Sequence, residues 1–101
     1  MPDYKNISAQ EAAEQFLKGG TFLDVRRDDE FQSGHIPGAF HIPVEELGKR
    51  TGDVPAGRPL YVICRSGARS AAACRMLTAC GMKQIINVEG GMLDWKGPLE
   101  K

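Results

Sequence analysis

The apolar residues of this chain occur in short runs, separated by segments with helical periodicity. Two weaker runs, Tyr4 to Ile7 and two or three residues around Ala39 to His41, predict short strands. Three stronger runs predict buried strands, and these are TFLDV at 21–25, LYVIC at 60–64 and QIINV at 84–88. The pattern therefore predicts about five strands.

Helical segments occupy the intervals between these strands. Ser8 begins the sequence SAQE, a capping box in which the serine hydroxyl caps the amide of Glu11, and a helix is predicted from there to about Lys18. A second long helix is predicted from about Ala68 to Cys80. Shorter helical segments are predicted near Phe31, over 44–49 and after the glycine turn of EGGMLDW at 89–95.

Strands that alternate with helices are typical of an α/β fold with a parallel sheet. The strand at 60–64 is apolar almost throughout, as expected for a central strand that is covered on both faces. A chain of 101 residues predicts one domain, spanning 1–101. A domain of this size buries roughly two thirds of its unfolded surface, which is enough for a core.

Composition and charge exclude several classes of function. The chain is 42% hydrophobic and 26% charged, as in ordinary globular proteins, and 13 basic residues balance 13 acidic ones. There is no basic excess to bind nucleic acid or an anionic membrane. No apolar stretch approaches the roughly 20 residues of a membrane span, and the polar start has no signal-peptide core. We therefore expect a cytoplasmic protein with neither nucleic-acid nor membrane partners.

The three cysteines, Cys64, Cys74 and Cys80, are ten and six residues apart and form no CxxC pair. This spacing is evidence against a disulfide framework and against a zinc site. Two histidines six residues apart add little support for a metal site. We therefore expect neither a metal nor an organic cofactor, and we expect reduced thiols.

Cys64 is the candidate for chemistry because it ends a predicted central strand and its loop leads directly into a helix. Ligands of α/β folds gather beyond the carboxyl ends of the strands, and helix N-termini favour anions such as a thiolate. Arg65 and Arg69 add positive charge if they point inward, so the pKa of Cys64 is predicted to be lowered. Gly67 suits a loop that needs a positive φ. The alternative is that Cys64 is only a small apolar residue at the strand end.

Five segments, in this order, resemble the single-domain rhodaneses, a family of sulfurtransferases. They are DVR at 24–26, Glu30-Phe31, HIP at 41–43, CRSGARS at 64–70 and EGGMLDW at 89–95. The resemblance implies a rhodanese-like three-layer α/β/α fold with a central parallel sheet of about five strands. The cysteine loop is expected at one end of that sheet.

The resemblance also implies a double-displacement mechanism. The Cys64 thiolate attacks the outer sulfur of thiosulfate or a related persulfide or polysulfide, and a persulfide remains on Cys64. A thiophilic acceptor, cyanide or a thiol, then removes that sulfur. Backbone amides of the loop are expected to hold the transferred sulfur, and the two arginines the anionic donor. The predicted substrate-binding residues are Arg65, Ser66, Gly67, Ala68 and Arg69.

Other functions remain open at this point. Cysteine phosphatases use Cys-x5-Arg, but position 70 is Ser70 and the arginine is Arg69, one residue early. An arsenate reductase would need a second positioned cysteine. The chain could also relay or bind sulfur for a larger protein, with a partner's persulfide as donor, or serve as a non-catalytic interaction domain. A protein sulfur donor or acceptor is therefore a candidate partner.

The remaining polar and thiol groups are predicted to be structural. Asp24 is expected to hold loop amides or Arg26, and Arg26 is also expected to pair with Glu30. His35 and His41 are expected to organise their turns, and Ser66 and Ser70 to cap the helix. Cys74 and Cys80 share a helical face with Ala73 and Leu77, so both are expected in the core, and Trp95 is expected to pack the last helix against the body.

Overall fold

Five parallel strands form the central sheet of the computed structural model, which describes residues 4–101. Their order across the sheet is β1-β5-β4-β2-β3. The strands are β1 (Tyr4–Ser8), β2 (Thr21–Asp24), β3 (Phe40–His41), β4 (Leu60–Ile63) and β5 (Ile85–Glu89). Because β4 lies in the middle, both of its faces are covered, which explains its continuous apolar sequence.

Helices follow most of the strands. The Ser8 hydroxyl accepts a hydrogen bond from the Glu11 amide at 3.1 Å, so the predicted N-terminal cap of the first helix is confirmed. The helices are α1 (Ala9–Leu17), α2 (Asp28–Gln32), α3 (Val44–Leu47) and α4 (Ala68–Ala79), with 3₁₀ turns at Thr51–Asp53 and Gly91–Asp94. The segment after the glycine turn is thus a 3₁₀ turn, and α3 is shorter than predicted.

Two apolar layers lie on opposite faces of the sheet. Side chains alternate along β4, so that Leu60 and Val62 pack towards α4 while Tyr61 and Ile63 pack on the other face with α1. Trp95 is 8% exposed and lies in this second layer, in edge-to-face contact with the rings of Phe16 and Phe22. The three-layer arrangement implied by the family resemblance is confirmed. The same alternation turns Cys64 towards α4.

The prediction for Cys80 is wrong. Cys74 is buried in the layer between α4 and the sheet, but Cys80 is exposed. The helix ends at Ala79, and the chain turns back so that the Met82 amide bonds the Leu77 carbonyl at 3.1 Å. Met82 then packs against the core, and Cys80 is left on the outside of the turn.

Serine substitutions distinguish these two environments. Cys74→Ser should lower the free energy of unfolding by about 1–3 kcal/mol, because its hydroxyl is desolvated in an apolar layer. Cys80→Ser should change it by less than about 0.5 kcal/mol, because the side chain is exposed. Urea denaturation of the two variants beside wild type measures both effects. Equal losses of stability would contradict the assigned burial.

Candidate functional site

Cys64 directly follows β4 and is fully buried against α4. The loop that leaves it is held from behind by the 3₁₀ turn after β5. The Met92 amide donates to the Cys64 carbonyl at 2.8 Å, and the Leu93 amide donates to the Arg65 carbonyl at 3.0 Å. At Gly91 a Cβ atom would overlap both of these carbonyl oxygens, so only glycine allows this approach. Together these contacts fix the start of the loop.

Gly67 curls the loop back over the sulfur. Its φ of 108° lies in the region that glycine adopts at little cost, and it occupies the N-cap position of α4. In this conformation its amide donates to Cys64 Sγ at 3.0 Å. The positive φ expected for Gly67 is therefore present, and it directs a backbone N–H at the thiol.

Two buried cysteines on the same face of the sheet have opposite pKa shifts. Burial raises the pKa of Cys64, but hydrogen bonds from the Ser70 hydroxyl and from the amides of Ser70, Gly67 and Ser66 outweigh it, and the net pKa is lowered. Burial raises the pKa of Cys74 to about 12. Hydrogen bonding to the sulfur, rather than the fold position alone, thus favours a thiolate at Cys64.

Neither Ser66 nor Ser70 is the helix cap that the sequence predicted, because Gly67 occupies the N-cap position of α4. The Ser70 side chain is buried in the first turn of α4, and its oxygen lies 3.4 Å from Cys64 Sγ. Its hydroxyl donates to Asn87 Oδ1 at 2.6 Å. Sequence reasoning missed Asn87, although an amide inside the apolar strand sequence QIINV was a signal that could have found it.

The two arginines of the loop differ in their surroundings. Arg69 makes a bidentate ion pair with Glu30 of α2, with distances of 2.6 and 2.9 Å. This pair lowers the pKa of Glu30 to about 2, with the hydrogen bond from Arg69 as the largest cause. Arg65, like Ser66 and Ala68, is exposed at the surface of the loop. The charge of Arg69 is therefore already neutralised.

The predicted pairing of Arg26 with Glu30 is wrong. Arg26 instead pairs with Asp24 of β2, with Nη2 2.8 Å from Oδ2, and both side chains are buried. The same Nη2 donates to the Gly34 carbonyl at 2.8 Å. Asp24 and Arg26 thus stabilise the turn beside the site, which agrees with a structural role for Asp24.

Both histidines lie in stacked arrangements beside α2. The Phe31 ring stacks between the His35 and His41 rings, with centroid distances of 3.7 and 4.2 Å. His35 Nδ1 is 2.8 Å from the Phe31 carbonyl oxygen, and His41 Nε2 is 2.8 Å from that of Arg26. These contacts organise the turns, as the sequence predicted.

Over residues 4–101, no cluster of three or more His, Cys, Asp or Glu side chains is placed to hold a metal ion. Across the same residues, no helix has the length and apolar character needed to cross a bilayer.

The Glu30–Arg69 pair should make stability depend on pH. Because the pKa of Glu30 falls from 4.5 to about 2 on folding, its contribution is present above pH 4.5 and is lost as the pH falls towards 2. The advantage of wild type over Glu30→Gln in urea denaturation should shrink by about 2 kcal/mol from pH 6 to pH 3. Glu46→Gln, which breaks an exposed pair with Arg50, is the control and should show little change. A pH-independent advantage would contradict the pairing.

Comparisons with known proteins agree on one family. The family model described as the rhodanese-like domain matches residues 8–98 of the chain. The chain is 33% identical to a rhodanese-like domain protein from Staphylococcus aureus, whose crystal structure superimposes with a TM-score of 0.86 over 95% of this chain and 96% of that chain. Thiosulfate sulfurtransferase GlpE of Shewanella oneidensis is 30% identical over 96 residues, covering 94% of this chain and 95% of GlpE.

A further relative is a longer protein. The "Putative sulfur carrier protein YrkF" of Bacillus subtilis is 45% identical over 78 residues, which cover 77% of this chain. The match spans only 42% of the length of YrkF. The names of these relatives support a general role in sulfur transfer. The extent of the family match, the similarity of the folds and the cysteine loop together show that the chain belongs to the rhodanese-like domain family.

Proposed function

We propose that the protein is a sulfurtransferase that carries sulfane sulfur as a persulfide on Cys64. The donor is thiosulfate or a related persulfide or polysulfide, and the acceptor is a thiol or cyanide. The observation that carries this proposal is the hydrogen bonding of Cys64 Sγ by the Gly67 amide at 3.0 Å beside the Ser70 hydroxyl. These donors favour a thiolate in a position where burial alone would oppose it.

The first displacement forms one S–S bond and breaks another. The Cys64 thiolate attacks the outer sulfur of thiosulfate, and sulfite leaves with the electron pair of the broken S–S bond. The product is a Cys64 persulfide whose negative charge lies on the outer sulfur. In the second displacement the acceptor attacks that outer sulfur, and the electron pair of the Cys64 S–S bond returns to Sγ. Neither step needs a metal or an organic cofactor.

In the persulfide the outer sulfur extends from Sγ into the loop whose Gly67 amide already points at Sγ. We propose that the amides of the loop then hold the anionic sulfur, in the way that an oxyanion hole holds a negative oxygen. The loop residues with this role are Arg65, Ser66, Gly67, Ala68 and Arg69. A reducing compartment such as the cytoplasm suits this cycle, because it keeps the Cys64 thiol from being oxidised between turnovers.

A protein-fed sulfur relay is the second candidate. Two observations favour it: the Arg69 charge is neutralised by Glu30, and a relative is named as a sulfur carrier. A site with one free loop arginine attracts a small dianion less strongly than a site with two. Here the physiological donor would be a persulfide on a partner protein.

Intact mass spectrometry tests the proposed carrier. After incubation with thiosulfate, wild type and the Cys80→Ser control should each gain one sulfur atom, whereas Cys64→Ser should gain none. Added cyanide should remove the sulfur and form thiocyanate. If wild type gains no sulfur from thiosulfate but gains it from a protein persulfide, the relay role is favoured. Sulfur that still binds to Cys64→Ser would refute the assignment of Cys64.

Charge at the loop provides an independent prediction. Glu30→Gln leaves the Arg69 guanidinium uncompensated, so the KM for thiosulfate should fall about threefold at low salt. Arg69→Ala should raise that KM by a similar factor, while Arg50→Ala, which removes a guanidinium paired at the surface with Glu46 and Asp53, should leave it nearly unchanged. Steady-state kinetics at two salt concentrations measure these effects. An unchanged KM in both Glu30→Gln and Arg69→Ala would show that the guanidinium does not contact the donor.

A further inference from the structure

The Ser70 hydroxyl has one hydrogen and three neighbouring acceptors. Asn87 Oδ1 lies 2.6 Å from its oxygen, the Gly67 carbonyl oxygen 3.1 Å and Cys64 Sγ 3.4 Å. A hydroxyl donates well to only one partner at a time. Ser70 is fully buried, so water does not make up for a partner that is lost. The acceptor that receives this hydrogen therefore decides whether Ser70 donates a hydrogen bond to Cys64 Sγ.

Asn87 is placed to hold this hydrogen. It lies on β5 between Ile86 and Val88 and is 3% exposed. The amide nitrogen of Asn87 donates to Asn6 Oδ1 of the neighbouring strand β1 at 3.0 Å. This hydrogen bond fixes the orientation of the Asn87 amide, so that Asn87 Oδ1 faces Ser70. The four side chains thus form a continuous polar chain from the buried Cys64 through Ser70 and Asn87 to Asn6, which is exposed.

The protonation state of Cys64 reverses the direction of its link to Ser70. In the thiol state, the S–H donates to the Ser70 oxygen, and Ser70 donates to Asn87. In the thiolate state, Ser70 stabilises the charge only by turning its hydrogen to Sγ, and Asn87 Oδ1 then loses its donor. Ser70 therefore favours the thiolate, whereas Asn87 competes with the sulfur for the same hydrogen and opposes it.

We propose that Asn87 is a positioning residue which acts through the Ser70 hydroxyl to control how readily Cys64 carries negative charge. The inference rests on the proposed function only where it concerns the catalytic cycle. In the persulfide the charge lies on the outer sulfur, and the Ser70 hydrogen stays with Asn87. When the acceptor removes that sulfur, the electron pair returns to Sγ, and the Ser70 hydrogen rotates to it. No proton is gained or lost in this rotation.

The test is a pH titration of the Cys64 thiolate by its ultraviolet absorbance, below the range in which tyrosine ionises. All variants are made in a Cys80→Ser background, because Cys80 is exposed and would add its own signal. Cys74 stays protonated, since its pKa is about 12. Arg69, its partner Glu30 and Cys74 are charged or titratable groups near Cys64, and every variant keeps them.

Each variant is expected to shift the pKa of Cys64 in a particular direction. Ser70→Ala removes the donor and should raise the pKa of Cys64 by about one pH unit. Asn87→Leu keeps the volume but removes the competing acceptor, so it should lower the pKa by about half a unit. In the double variant Ser70→Ala/Asn87→Leu, the pKa should equal that of Ser70→Ala alone, because Asn87 acts only through Ser70.

Asn6→Ala provides a milder version of the same test, because Asn6 is exposed and its loss does not threaten the core. Without Asn6 the Asn87 amide is free to turn its N–H₂ towards Ser70, so the pKa of Cys64 should again fall. If Asn87→Leu does not fold, the Asn6→Ala titration decides the question. An unchanged or raised pKa of Cys64 in folded Asn87→Leu, or in Asn6→Ala where Asn87→Leu does not fold, would overturn the proposal. So would a shift from Asn87→Leu that persists without the Ser70 hydroxyl.

These titrations use no sulfur donor. A protein that takes no sulfur from thiosulfate could still show the expected order of pKa values, and the inference about Asn87 would then stand without the proposed activity. Conversely, the protein could transfer sulfur through Cys64 while Asn87→Leu leaves the pKa of Cys64 unchanged. That result would keep the proposed function and refute this inference.

Discussion

The hydrogen bond from the Gly67 amide to Cys64 Sγ is the contact on which the rest of the site depends. It requires the loop after β4 to curl tightly, and the curl is held from two sides. The left-handed conformation of Gly67 forms it, and the 3₁₀ turn that begins at Gly91 supports it through bonds to the Cys64 and Arg65 carbonyls. The glycine pair after β5 therefore helps to hold the loop around the Cys64 thiol, although it lies more than twenty residues further along the chain.

Burial and hydrogen bonding have opposite effects on the pKa of this thiol, and their balance determines how readily it ionises. Cys64 and Cys74 lie in the same apolar layer, yet the pKa of one is lowered and that of the other is raised. The difference comes from the donors around Cys64, because desolvation acts on both. A low-dielectric site also strengthens each of these hydrogen bonds, so the same burial that opposes a charge makes its stabilisation more effective.

Positive charge contributes to the site in a different way from the one that the sequence suggested. Arg69 binds Glu30 and so ties α4 to α2, while Arg65 remains exposed at the surface of the loop. The hydrogen-bond donors that reach the sulfur are backbone amides and the Ser70 hydroxyl. Backbone donors are fixed by the fold and do not depend on the rotamer of a long side chain.

The strand and helix pattern, the cap at Ser8 and the place of Cys64 at a strand end could be read from the sequence, because hydrophobic periodicity and capping are local properties. The family resemblance added the three-layer fold. The partners within the site could not be read in this way: Arg69 meets Glu30 from 39 residues away, and Ser70 meets Asn87 from 17. Likewise, helical spacing placed Cys80 on the buried face, but the turn after Ala79 exposed it. Only the order of the strands and the packing of the helices bring distant side chains together, and that packing minimises the free energy of the whole chain rather than of any one segment.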